Sequence, residues 1–368
     1  MSTAPPHVTI VLNCLGTGGV ERVALRLANG LAERGNRVSF VLLSRGGALE
    51  DRISTKVEVV RFGRSLERGA GLLRAAPRLA KLLRRDPPDV LLSPGNHMHG
   101  VVLLARRLSG VGGILALKMT NPVERAQVRP VRNRLRRALF RYAARHSNLL
   151  LMLSDAAAEE GRRIARAAAS KVRVVANPYV EEALLDRASK RRKPGRNDAP
   201  LLLSVGRLTP QKDPLMMIEA LAGVRSRRWR LVMLGEGPLA DDCRKRAETL
   251  GIADRIDFPG FVPDASPWFE KARVFLLSSR YEELPAVLFE AMAARCPIVS
   301  TAASQSVVDA LDGGKLGRLV PPGDVEAFRA AVSLALDSPA LAPDAHAWLE
   351  RFTIGAGVES HARALGLR

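Results

Sequence analysis

Cysteine is scarce in this chain. Cys14, Cys243 and Cys296 are the only three in 368 residues, far apart and without a C-x-x-C spacing. That excludes a disulfide framework, and reduced thiols in a cytoplasmic protein are expected. No apolar run reaches the roughly 18 residues that span a bilayer. The opening, MSTAPPHVTIVLN, has no basic stretch ahead of its apolar run, so no secretory leader is expected. No D-x-D is present to hold a metal–diphosphate complex, so no metal or other cofactor is implied. Acidic residues are short in the first half only. Residues 1–180 carry 31 Lys and Arg against 12 Asp and Glu, whereas residues 181–368 carry 26 against 25. The excess implies an anionic surface met by the first half, either a membrane or a nucleic acid.

The rest is ordinary for a globular protein, 47% apolar and 26% charged, and the length predicts two domains. Apolar runs alternate with helical stretches. Strands are predicted at 7–13, 37–43, 56–61, 89–93, 113–117, 148–153 and 172–176, and again at 201–205, 229–234, 255–258 and 274–277. That alternation predicts α/β architecture with parallel, doubly wound sheets, whose ligands bind beyond the carboxyl ends of the strands.

Several loops at such ends carry chemistry. Leu15-Gly-Thr-Gly18-Gly19-Val-Glu-Arg22 links a strand to a helix predicted from Val23 to Arg34, and its glycines let a ligand approach a helix N-terminus. Ser93-Pro-Gly-Asn-His97-Met-His99 follows another strand. Its H-x-H has no third ligand in view, and His97 reads as a helix cap or an acceptor contact. Lys118-Met-Thr-Asn121-Pro122 follows the next strand. Arg207 and Lys212 stand five apart on a loop entering a helix, where a planar fork and a point charge can hold a diphosphate.

The stretch Ser278–Ala294 (SSRYEELPAVLFEAMAA) offers most. A helix is predicted to start near Pro285. Its free N–H groups around Ala286 and Val287 suit a phosphate. Glu282, in the loop ahead, and Glu290, on the helix, can accept from hydroxyls of the same ligand. A different feature is Arg129–Arg145 (RPVRNRLRRALFRYAAR), a helix candidate with seven arginines and an apolar stripe of Leu135, Leu139 and Tyr142. Two readings are open. The stripe and arginines together suit a membrane surface, or the stripe packs on the sheet and the arginines face water.

Five motifs, in order, resemble the retaining family-4 glycosyltransferases, which have the GT-B fold of two Rossmann-like domains facing across a cleft. They are L-G-x-G-G-x-E-R near the start, Asn177-Pro178 at the hinge, Gly206-Arg207-Leu-x-x-x-Lys212-Asp213 (the family's G-R-L-x-x-x-K-G/D), S-R-Y-E…P…E-A-M-A at 279–293, and Gly313–Asp324. The resemblance implies an N-terminal acceptor-side domain at 1–177, a linker at 178–199, a donor-binding domain at 200–344, and a helical segment at 345–368 that crosses back to the first domain. It implies a nucleotide-diphosphate sugar as donor, UDP-linked by preference, and a glycan or lipid-linked acceptor in cell-surface polysaccharide or glycolipid synthesis. It implies that Arg207, Lys212 and Glu282 are catalytic. It also implies that Gly18, Gly19, Gly206, Phe261, Val262, Ala286, Val287 and Glu290 bind the donor, Phe261 and Val262 at the nucleobase. His97, Lys118 and Asn121 fall on the acceptor side. The expected location is the inner face of the membrane, as a peripheral protein. A non-catalytic sugar-nucleotide or polyanion binder on the same fold is the alternative.

The chain departs from the family text at three places. Glu283 stands where glycine is usual, and a glutamate forced to positive φ would cost roughly 1 kcal/mol or more. Asn36 replaces a common histidine at what reads as a surface turn. The loop at 118–121 keeps only Asn121-Pro122 of the usual text.

Overall fold

A computed structural model describes residues 4–16, 18–63, 69–125, 128–188, 199–224, 229–337 and 343–367. The chain divides into two compact units, residues 1–178 with 352–368, and residues 179–351. Each is built on a parallel sheet.

The first unit holds seven strands: β1 (His7–Leu12), β2 (Arg37–Leu42), β3 (Val57–Arg61), β4 (Val90–Ser93), β5 (Ile114–Lys118), β6 (Leu149–Met152) and β7 (Val172–Val174). Their order is β3-β2-β1-β4-β5-β6-β7. Strand β1 is buried at every position, as a continuous apolar run in a two-sided parallel sheet requires. One face of the sheet packs on helices Ala76–Arg85, His99–Ser109, Pro130–His146 and Asp155–Ala165, through residues such as Leu79, Val102, Phe140 and Ile164. Helix Gly19–Glu33 packs beside the last helix, Ile354–Leu365. Their approach is close: a Cβ on Gly30 would come within 2.5 Å of Val358.

The second unit holds β8 (Leu201–Val205), β9 (Arg230–Leu234), β10 (Ile256–Gly260), β11 (Val274–Leu277), β12 (Ile298–Thr301) and β13 (Arg318–Val320). Their order is β10-β9-β8-β11-β12-β13. Both sheets therefore reverse direction between their first and fourth strands, β1/β4 and β8/β11. Ligands in open α/β sheets bind at that switch point, beyond the carboxyl ends.

Several sequence expectations shift. Strands β12 and β13 were not among the predicted strands. The first helix begins at Gly19, not Val23, because Gly18 is extended (φ −76°, ψ 161°) and acts as its N-cap. Gly19 is thus in the helix's first turn. The segment read as a linker, 178–199, contains helix Glu182–Ala188 of the second unit, and residues 189–198 lie outside the described ones. The last segment is split: helix His346–Leu349 belongs to the second unit, and residues 352–368 to the first. Asn36 is not a surface-turn residue. It is buried, and its Nδ2 donates to the Leu31 carbonyl (3.0 Å), which ties off the end of the first helix.

Candidate functional site

In the second unit the loops after β8 and β11 meet at the switch point. Gly206 and Arg207 leave β8, and Ser278 to Glu282 leave β11. Several bonds stitch the two loops together. The Ser278 hydroxyl donates to the carbonyls of Lys212 (2.8 Å) and Asp213 (3.0 Å). The Arg280 amide donates to the Gln211 carbonyl (2.8 Å), and Gln211 Nε2 donates to the Tyr281 carbonyl (3.1 Å). Arg280 then forks onto the buried Asp213 carboxylate (2.7 and 3.2 Å), which raises the guanidinium pKa above its ordinary value. Asp213 itself is left-handed, φ 47° and ψ 54°. Aspartate and glycine tolerate that conformation better than most residues, which explains a G/D choice at this point of the motif.

Lys212 Nζ forms an ion pair with Glu282 Oε1, which also accepts from Ser279 Oγ (2.7 Å). The sequence reading assigned these two residues separate ligand contacts; the structure adds a bond between them. Among the described residues both bonds fall on Oε1. The buried carboxylate is thus compensated by a charge-assisted pair. Arg207 is exposed; its carbonyl accepts from the Thr209 amide (2.9 Å), but its guanidinium makes no hydrogen bond or ion pair among the described residues. A small recess between these groups is lined by Gly206, Arg207, Lys212, Leu277 and Ser278.

Helix Ala286–Ala293 follows, with Pro285 as its N-cap residue (φ −75°, ψ 125°). The N–H groups of Ala286 and Val287 lie in the first turn, where no intrahelical acceptor exists. Glu290 is buried on this helix. Glu283 escapes the predicted strain, since it is not among the non-glycine residues with positive φ. It is buried instead, with its Oε1 accepting from Ser306 Oγ (2.8 Å) and its carbonyl from Ser304 Oγ (3.1 Å). Ser304 also caps helix Gln305–Ala310 through Val307 N. Glutamate here anchors the next loop, a role that glycine cannot fill.

The loop after β9 closes against the loop after β8. A Cβ on Gly235 (φ +133°) would stand 2.1 Å from the Gly206 carbonyl oxygen, and one on Gly237 2.2 Å from that of Leu208. Gly235 N donates to the Gly260 carbonyl (2.8 Å), which brings the end of β10, and with it Phe261 and Val262, to the same side of the sheet.

In the first unit the switch-point loops are those after β1 and β4. Gly95 lies against Val20 at the start of the first helix, 2.9 Å from where its Cβ would be. The Glu21 carboxylate stands over Gly18. Asn96 Oδ1 accepts from the amide (2.7 Å) and hydroxyl (2.9 Å) of Thr120, joining the His97 loop to the Lys118–Asn121 loop. Lys118 is not a loop residue: it ends β5 and is 1% exposed, with no partner for its Nζ among the described residues. Burial lowers its pKa to about 7. His361, on the last helix, is fully buried beside it; burial and then the lysine charge hold its pKa well below the ordinary value. His99 Nδ1 pairs with Ser93 Oγ (2.8 Å), and burial lowers that imidazole to about 3. The sequence reading missed this polar cluster, because its members come from β4, β5 and a helix over 240 positions later. Among the described residues no three His, Cys, Asp or Glu side chains are grouped to hold a metal ion.

Two family models match in tandem: Glycosyltransferase Family 4 over residues 17–182 and Glycosyl transferases group 1 over residues 186–351. The lipopolysaccharide core biosynthesis glycosyltransferase LpsE of Rhizobium meliloti is 29% identical over 86% of this chain and 84% of its own. Alpha-D-kanosaminyltransferase of Streptomyces kanamyceticus is 33% identical over 55% of this chain, and the match spans about half of that protein, 54%. A Campylobacter jejuni N-acetylgalactosaminyltransferase, named for an undecaprenol-diphosphate-linked acceptor, is 24% identical over 90% of this chain and 89% of its own. Among solved structures, Anabaena Alr3699/HepE in complex with UDP and glucose superposes with a TM-score of 0.76, at 17% identity, over 98% of this chain and 99% of that one.

Proposed function

The chain belongs to the family-4 glycosyltransferases of GT-B fold, and from that premise we propose that it moves a sugar from a nucleotide-diphosphate donor, a UDP-sugar, to a glycan or lipid-linked acceptor with retention at the anomeric carbon. The observation that carries the reading is the charged constellation at the β8/β11 switch point: Arg207 exposed, and Lys212 paired with a buried Glu282. Arg207, Lys212 and the N–H groups of Ala286 and Val287 hold the diphosphate. As the bond from the anomeric carbon to phosphate breaks, negative charge grows on the leaving oxygen, and these fixed donors stabilise it without a metal. Glu282 accepts from a hydroxyl of the transferred sugar through Oε2, and Glu290 from the ribose. The acceptor hydroxyl attacks on the face from which the diphosphate leaves, and a phosphate oxygen takes its proton. Gly206 lets the backbone approach the phosphates, and Phe261 and Val262 hold the base. Gly18 and Gly19, with His97, Lys118 and Asn121, serve the acceptor side and the phosphates from the first unit. The lipopolysaccharide and undecaprenol-linked relatives support a role in synthesis of cell-surface polysaccharide or glycolipid.

Titration calorimetry tests the two carboxylates separately. Glu290→Gln is expected to weaken UDP and UDP-sugar alike, by about 1.5–3 kcal/mol. Glu282→Gln is expected to spare UDP and weaken only the sugar nucleotide. The reverse pattern overturns the assignment. Donor hydrolysis without acceptor distinguishes an enzyme from a binder on the same fold, because a binder shows none.

A further inference from the structure

Helix Pro130–His146 has two apolar faces. Phe140, Ala143 and Ala144 pack inward on the sheet. Val131, Leu135, Leu139 and Tyr142 recur in steps of four, four and three, so they form one stripe. That stripe does not pack on the sheet. It faces solvent, with exposures of 72, 60, 60 and 50%. A surface helix of a globular protein normally turns such a stripe inward. Helix His99–Ser109, in the same layer, adds exposed Leu104 and Leu108. Of the eight exposed large hydrophobic residues among those described, six lie on these two helices. Scattered exposed leucines need no account, whereas a contiguous apolar patch marks a docking surface.

The charges beside the stripe choose its occupant. Helix Pro130–His146 contains no acidic residue. Arg136 is bound to the carbonyls of Pro122 and Val123, and Arg137 to Glu124, so these two are committed inward. Arg132, Arg134 and Arg145 are exposed. On helical geometry Arg132 falls on one flank of the stripe, and Arg134 and Arg145 on the other. A second copy of this chain would bring arginine against arginine. A nucleic acid would meet leucines at the outermost positions and arginines only at the edges. An apolar ridge with cations on both flanks matches a bilayer interface, where the ridge enters the acyl boundary and the guanidinium groups reach lipid phosphates. At about 25 Å the helix is long enough to lie along that plane.

We propose that the outer face of helix Pro130–His146, extended by Leu104 and Leu108, docks the first unit on an anionic lipid bilayer. The inference stands on the exposed stripe and not on the donor site. Among the described residues no helix is long and apolar enough to cross a membrane, so the docking is parallel to the surface.

The test is co-sedimentation of the full chain with vesicles of phosphatidylcholine alone, or with about 30% phosphatidylglycerol. Binding is expected only to the anionic vesicles, and about 0.5 M salt should weaken it strongly. Leu135→Gln with Leu139→Gln changes no charge and is expected to weaken binding about tenfold or more. Arg132→Glu with Arg134→Glu should do the same. All four sites are exposed, so the melting temperature and UDP affinity should stay at their wild-type values; UDP affinity also separates failure here from failure of the donor-site reading. Unchanged binding in the leucine variant, with loss only in the arginine variant, would leave a nonspecific polyanion contact and overturn the proposal. So would a dimer, by light scattering, that dissolves in the leucine variant without any lipid binding.

Discussion

The ion pair of Lys212 with Glu282 separates two residues that the motif treats alike. The exposed Arg207 guanidinium has no partner among the described residues, so Arg207→Ala is expected to lower turnover by about 10²-fold or more while leaving the melting temperature unchanged. Lys212→Ala should lower turnover as much, but it also strands a carboxylate whose side chain is only 8% exposed. That costs roughly 1–3 kcal/mol of stability, part of which Glu282→Gln in the same chain restores without restoring activity. Activity near wild type in both single variants would remove the diphosphate clamp. Lys118 carries the second residue-scale prediction. Its folded-state pKa of about 7 lies below its ordinary 10.5, so between these values the folded protein binds fewer protons than the unfolded chain. Stability should rise with pH through that window and carry the full cost of the buried charge below pH 7. Lys118→Met is therefore expected to be more stable than wild type at pH 6, by about 2–4 kcal/mol, with the gap closing toward pH 10. His99 and His361 act with the same sign at lower pH: both are held neutral, so stability falls as pH drops below 6.5. Denaturant melts of Lys118→Met and wild type at several pH values check this, and a gap independent of pH would refute it.

At the scale of elements, the placement of the loops after β8 and β11 was legible in the sequence, and that of the loops after β4 and β5 was not. Arg207, Lys212, Glu282 and Glu290 stand within short motifs whose spacing places them on one strand end or one helix. The contact of Lys212 with Glu282 spans 70 positions, and only the β8/β11 adjacency creates it. The same adjacency brings Arg280 onto Asp213, 67 positions away, whereas Glu283 meets Ser306 across the β11/β12 pair. Periodicity found the stripe on helix Pro130–His146 but could not say which way it faced, because a second inward face is made of one phenylalanine and two alanines. Strands β12 and β13 were missed because each is a short run beside prolines and glycines that carries little pattern. The glycine turn after β9 allows a paired test. Gly235→Ala must push the Gly206 carbonyl away from a 2.1 Å approach and adopt φ near +133°, so it should displace the loop that carries Arg207. UDP affinity is expected to fall about tenfold or more, with a stability loss of about 2 kcal/mol. Gly251, at φ +68° with open space around it, is the control. Its alanine variant should cost about 1 kcal/mol and leave UDP affinity unchanged. Equal loss of affinity in both would show that the loop contact is immaterial.

At the scale of the whole molecule, the two units have separate cores, and the chain's last seventeen residues complete the first of them. Gly357 sits on the backbone at Asn177 and Pro178, where a Cβ would come within 2.4 Å, and Ser360 Oγ accepts from the Ala176 amide (3.0 Å). The buried His361 of the same helix feels the Lys118 charge. A ligand held by the second unit alone stabilises that unit by mass action, about 2.7 kcal/mol at a free concentration a hundred times its Kd. Calorimetric unfolding with UDP is therefore expected to raise the transition of the second unit. Gly357→Val, which forces the last helix off residues 177 and 178, should lower only the transition of the first. UDP affinity should largely survive in that variant, because Arg207, Lys212, Glu290 and the other groups assigned to UDP, apart from Gly18 and Gly19, lie between residues 179 and 351. Loss of UDP binding in Gly357→Val, with the second transition intact, would mean that Gly18 and Gly19 carry most of the phosphate contact and the second unit little of it.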